Sequence, residues 1–148
     1  MMFRAMMALA AALQAPAAPP HAAPLHADWR VLEETRPQPW QSADGVNHLA
    51  PLFTPDALAL DGKEVELTGF ASSEEDGPIS SFTLYANHED CELHLPTGPQ
   101  VYAVVDLARP AKLPHGAITV HGRLVLVHER TGGVFYRIAD GAFSVTPA

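Results

Sequence analysis

The densest set of side chains able to do chemistry is His88-Glu89-Asp90-Cys91-Glu92-Leu93-His94. His88, Cys91 and His94 recur at every third position, and imidazole with thiolate suits Zn(II) or copper. In a loop, three such groups can converge on one ion, with Glu89, Asp90 or Glu92 completing the set. The same residues also fit a plainer description: histidines solvated in a polar loop, and Cys91 a small buried apolar residue. No second ligand pair with zinc-site spacing accompanies them. Cys91 is the single cysteine, which excludes an internal disulfide and leaves no resolving thiol within the chain. A Cys91–His94 dyad could activate a thiolate in principle, but it lacks a third orienting group.

Elsewhere the chemistry is sparse. His115, His121 and His128 flank or lie on one strand-like segment, and alternation turns His121 away from Ile118 and Val120, toward solvent. Glu74-Glu75-Asp76 lacks the spaced oxygen pattern of a calcium loop and reads as a solvated turn. The chain has no G-x-S-x-G, no phosphate-binding G-x-x-x-x-G-K and no H-E-x-x-H. Nine Lys+Arg against seventeen Asp+Glu, a net charge of −8, argue against nucleic acid as a partner. The residues therefore favour a non-enzymatic protein, with no cofactor expected unless zinc or copper occupies the His88/Cys91/His94 loop.

The elements that must position these residues follow from periodicity. Asp28–Glu34 reads as a short helix capped by Asp28, ended by Arg36-Pro37-Gln38-Pro39. Residues 36–51 read as an irregular lead-in, and Thr54-Pro55-Asp56 starts a single helical turn that Asp61-Gly62 ends. From Lys63 the period becomes two: strands at about 63–70 and 80–86 form a hairpin across the charged turn Ser72–Pro78. A polar loop over 87–99 leads to a third strand, Val101–Leu107, and a loop with two prolines follows at 109–116. Ile118, Val120, Leu124 and Leu126 share one face of a long strand, with Gly122 midway as a candidate bulge. Val134, Tyr136 and Ile138 form the next strand, and Phe143 and Val145 close the chain. This predicts an all-β sandwich or small barrel with a core of Val65, Leu67, Phe82, Leu84, Val120, Leu124 and Ile138.

Residues 1–27 differ in kind. Ala5–Ala27 holds eleven Ala and four Pro, after Arg4 and the apolar run Ala5–Leu13. That order matches a secretory signal peptide, too short to span a bilayer. Cleavage after Ala17 follows the small-x-small Ala15-Pro16-Ala17; cleavage after Ala27 starts the mature chain at Asp28. The expectation is a periplasmic or secreted bacterial protein with no membrane span once the leader is gone. The chain then divides into a signal peptide (1–27), a lead-in with short helical turns (28–62) and a β-domain (63–148).

Several blocks carry a resemblance: Trp29, Leu60-Asp61-Gly62-Lys63-x-Val65-x-Leu67-x-Gly69-Phe70, Phe82-x-Leu84, Cys91 with His94 and the prolines behind it, Val120-x-Gly122-x-Leu124, and Gly133-x-x-Tyr136-x-Ile138. Together, over most of 29–145, they resemble a family of exported bacterial proteins known only as a domain of unknown function. The chain departs from that pattern at the loop, where the family pattern is a tighter Cys-x-His followed by prolines and an Asn. The resemblance implies a small OB-like barrel of five to six strands with a short helical lead-in. It also implies an envelope accessory module, working with an ABC-type transporter system linked to metal supply. Such barrels bind across one sheet face and its flanking loops, for which Tyr85, Tyr102 and Tyr136 are aromatic candidates. The partner is then an envelope protein or a small ligand; the alternative is a zinc- or copper-binding protein.

Overall fold

The computed structural model describes residues 22–87 and 98–147. In chain order its elements are β1 (Leu25–His26), α1 (Trp29–Glu33), β2 (Arg36–Gln41), β3 (Asn47–Leu52), α2 (Pro55–Ala59), β4 (Glu64–Ser72), β5 (Pro78–Tyr85), β6 (Tyr102–Lys112), β7 (Ala117–Leu126) and β8 (Tyr136–Val145). The last five strands run β4-β5-β6-β8-β7, and β7 pairs back onto β4, closing the ring. β6 and β8 are parallel, while the other contacts within the ring are antiparallel. The expected small OB-like barrel with a short helical lead-in is what forms.

Alternation fills it. Val65, Leu67, Phe82, Leu84, Val105, Val120, Leu124 and Ile138 are all buried inside, as the period-two pattern requires. The same cluster takes in Ala27, Leu32 and Ala57, so the lead-in packs against the barrel wall. Its two short helices are capped as the sequence indicates. The Asp28 carboxylate accepts from the Arg30 N–H, and the Thr54 hydroxyl accepts from the Ala57 N–H, with Pro55 following. Gly122 lies where the β7–β8 register shifts; a Cβ there would sit 2.6 Å from Ile138 Cγ2 and 2.8 Å from the Ala139 carbonyl oxygen.

Three expectations need correction. Residues 36–51 are not irregular: β2 and β3 form an antiparallel ribbon with Trp40 opposite His48. The Ser42 N–H donates to Val46 O at 3.0 Å. By ladder parity, Pro37, Pro39 and Pro51 therefore occupy positions whose nitrogens face away from the partner strand, so their missing N–H groups cost nothing. Second, β6 does not stop at Leu107. Between the pairs Ser81↔Asp106 and Ile79↔Ala111 it bulges, and this admits Pro110. Third, the segments ending in Ile138 and beginning at Phe143 are one strand, β8, which bends at Asp140, φ 54°, and Gly141. A Cβ on Gly141 would meet Val105 Cγ1 at 2.8 Å, so glycine lets β8 lie against β6 there.

Candidate functional site

The site is built at the end of the barrel where the β7–β8 connection, residues 127–135, meets the β2–β3 ribbon. The Val127 N–H donates to Phe135 O at 2.9 Å, closing the base of that connection, and Phe135 is fully buried beneath it. Phe53 packs edge-on against both Phe135 and His128. Asp61 anchors the same end, its Oδ1 accepting from the Leu126 N–H at 2.9 Å, with His128 4.0 Å from its other oxygen.

Two long-range hydrogen bonds hold the tip. The Trp40 indole N–H donates to Arg130 O at 3.0 Å, and the Tyr102 hydroxyl donates to Gly133 O at 2.5 Å. Arg130 lies over the Trp40 ring, 4.8 Å from its centroid, and His48 stacks on Trp40 with ring centroids 4.8 Å apart. Between ribbon and tip lies a cleft of about 620 Å³, bounded by Trp40, His48, Gln41, Asn47, Thr131 and Gly132. No Asp, Glu, Lys or Arg lines it.

Beside the cleft, Ser42, Asp44 and His48 have the composition of a catalytic triad but not its wiring. Ser42 Oγ lies 3.0 Å from His48 Nε2 and bonds the Asp44 carboxylate, with Val46 O at 3.2 Å. A hydroxyl has one proton to give. With that proton on Asp44, the imidazole must be the donor toward the serine, and it cannot act as the base that activates it. The Ser42 hydrogen bond holds the Asp44 carboxyl below its usual range, with the Val46 backbone assisting. The arrangement fixes the tip of the ribbon.

Residues singled out from the sequence fall in different places. His88, Cys91 and His94 lie outside the described residues. The segment that holds them is closed at its base by the Ala86 N–H donating to Val101 O at 3.0 Å. Next to that closure, Tyr85 and Tyr102 pair across β5 and β6 with ring centroids 5.9 Å apart, both half-buried on the outer face. Burial, and then the neighbouring Tyr85, push the Tyr102 phenol above its usual pKa. Tyr136 is a correction: it is fully buried in the core, its hydroxyl 2.7 Å from Leu32 O and 2.6 Å from Thr35 Oγ1, and it offers no surface for a ligand. His121 does face outward, 3.9 Å from Glu66, which also meets His26 at 3.4 Å. Glu74–Asp76 are exposed at the β4–β5 turn. Among the described residues, no three His, Cys, Asp or Glu side chains are grouped to hold a metal ion.

Sequence reasoning missed Trp40, His48 and Arg130. The usable signal was Asp44-Gly45 between two short segments, a hairpin turn mark that the surrounding prolines obscured. Comparison with protein-family models, curated proteins and solved structures returns no match, so the family resemblance rests on the residue blocks alone.

Proposed function

We propose that this chain is an exported, non-enzymatic binding module of the bacterial envelope. Its ligand is an uncharged, partly apolar group seated in the cleft between the β2–β3 ribbon and the β7–β8 connection. One observation carries the reading: the cleft is preformed, its two walls locked by the Trp40–Arg130 and Tyr102–Gly133 hydrogen bonds. A preformed site avoids the ordering cost that otherwise consumes binding energy. Its volume falls within the several hundred Å³ usual for small-ligand sites. With the Trp40 ring covered by Arg130 and His48, the walls offer imidazole, carboxamide and glycine backbone as hydrogen-bonding groups, which suit the hydroxyls of a sugar or the amides of a neutral peptide segment. The test is chemical-shift mapping of the isotopically labelled mature protein against neutral saccharides and short uncharged peptides. Saturable shifts on the Trp40 indole N–H and the Thr131–Gly133 amides support the reading. Shifts confined to the β5–β6 face, or none across the panel, defeat it.

A second reading keeps the metal. His88, Cys91 and His94 fall in a segment whose two ends are hydrogen-bonded together, which limits the entropy lost when its side chains gather on one ion. Calorimetric titration with zinc, and with Cu(I) under reducing conditions, is expected to give one ion per chain. Affinity falls with pH as protons compete for thiolate and imidazole, and Cys91→Ser weakens binding most. A Kd weaker than roughly 100 μM, unchanged in Cys91→Ser, ends this reading.

A further inference from the structure

The sequence leaves two cleavage points open, after Ala17 and after Ala27, and the fold treats them differently. Leu25 and His26 pair in parallel with Val65 and Glu66 as β1 against β4. The Ala27 N–H donates to Glu66 O at 2.9 Å, and Ala27 is 3% exposed within the core cluster. His26 Nδ1 lies 3.4 Å from the Glu66 carboxylate. β4 pairs with β5 only at Phe70–Ser72, so β1 supplies a neighbour for the first half of β4 on the side away from β7. Loss of residues 25–27 leaves that backbone edge unpaired and empties the pocket filled by Ala27, beside the point where the Trp29 indole N–H donates to Thr68 O.

We infer that the leader is removed after Ala17, and that Leu25–Ala27 remain in the mature protein as a strand of its barrel. The inference rests on the export reading above. Leader removal acts on the chain before it folds, so burial of Ala27 does not itself block a cut. Residue type decides where the peptidase acts, and the fold decides which product is stable. Both point the same way. Ala15-Pro16-Ala17 presents small residues at the two positions that matter, whereas Leu25-His26-Ala27 puts a leucine at the first of them. The mature chain then opens with Ala-Pro-Pro-His-Ala-Ala-Pro, residues 18–24, ahead of β1.

The experiment expresses the full chain with its own leader in a bacterial host and reads the amino terminus of the envelope-fraction product by intact mass. A product beginning at Ala18 supports the inference. One beginning at Asp28 overturns it and leaves export standing. An intact leader overturns both. Ala15→Leu combined with Ala17→Leu is expected to accumulate precursor, and Ala27→Leu, which removes the small residue next to the other cut, to be processed like the parent chain; the reverse pattern places the cut after Ala27. The structural half is tested by thermal melts of chains 18–148 and 28–148. The shorter chain is expected to melt at least about 5 °C lower, or not to fold. Equal midpoints show that β1 is dispensable and overturn its place in the barrel.

Discussion

The Tyr136 phenol is fully buried, with its oxygen between the Leu32 carbonyl and the Thr35 hydroxyl. Donating to the first and accepting from the second uses its single proton and one lone pair. Burial pushes its pKa up to about 12, partly offset by the Thr35 hydrogen bond, which favours the phenolate. The unfolded phenol titrates near ~10. The neutral form is therefore the one folding prefers. This contribution to stability is fully present below pH ~10 and is lost as pH rises toward the folded value of about 12. Urea melts between pH 9 and 12 are expected to show a steep loss of stability that Tyr136→Phe flattens. At neutral pH the Phe variant is expected to cost about 1–3 kcal/mol, because it strands two buried polar partners while keeping the ring. A variant as stable as the parent at pH 7 and equally alkali-sensitive removes Tyr136 from this role. Period two placed Tyr136 in phase with Ile138, yet aromatic type suggested a surface role; alternation was the better guide. Composition could not show that its hydroxyl had buried partners about a hundred residues away.

The same limit operates on whole elements. Strands β4, β5 and β7 were legible because one face of each is apolar and the other polar, and burial enforces that pattern. The β2–β3 ribbon carries no such pattern. Ala50 is its only buried residue, and proline at 37, 39 and 51 reads locally as a strand breaker. What makes it a ribbon is parity: each proline stands where the ladder asks for no donor, and that depends on register, which is set by the turn at Ser42–Val46. Since the ribbon carries Trp40 and His48, the candidate cleft was hidden along with it. Parity makes a sharp prediction. Gln38 lies opposite Ala50 at a position that does donate, so Gln38→Pro is expected to cost on the order of 2–3 kcal/mol and to unpin Trp40 from Arg130. Pro39→Ala is expected to change stability by less than about 1 kcal/mol. Denaturant melts with the Trp40 indole resonance as a local probe compare them, and equal costs contradict the assigned register.

At the scale of the molecule, the barrel and its lead-in share one interior. Leu32 from α1 and Ala57 from α2 pack in the same cluster as the barrel residues, and the Leu32 carbonyl is tied to Tyr136. Closure of the ring removes the free edge strands of an open sheet, and a net charge of −8 adds repulsion between copies. A shared interior implies a single cooperative transition rather than a lead-in that frays from a stable barrel. The two tryptophans report separately: Trp29 is bonded to β4 through Thr68 O, and Trp40 links the ribbon to the β7–β8 connection. In Trp40→Phe, fluorescence follows Trp29 alone, and its melting curve is expected to coincide with the loss of β-sheet circular dichroism. In Trp29→Phe, fluorescence follows Trp40, whose ribbon adds little to the core, and that curve is expected to coincide with or slightly precede the sheet signal. A Trp29 transition several degrees below the loss of sheet defeats the shared core, because α1 can leave first only if Leu32 and Ala27 add little to the barrel's stability.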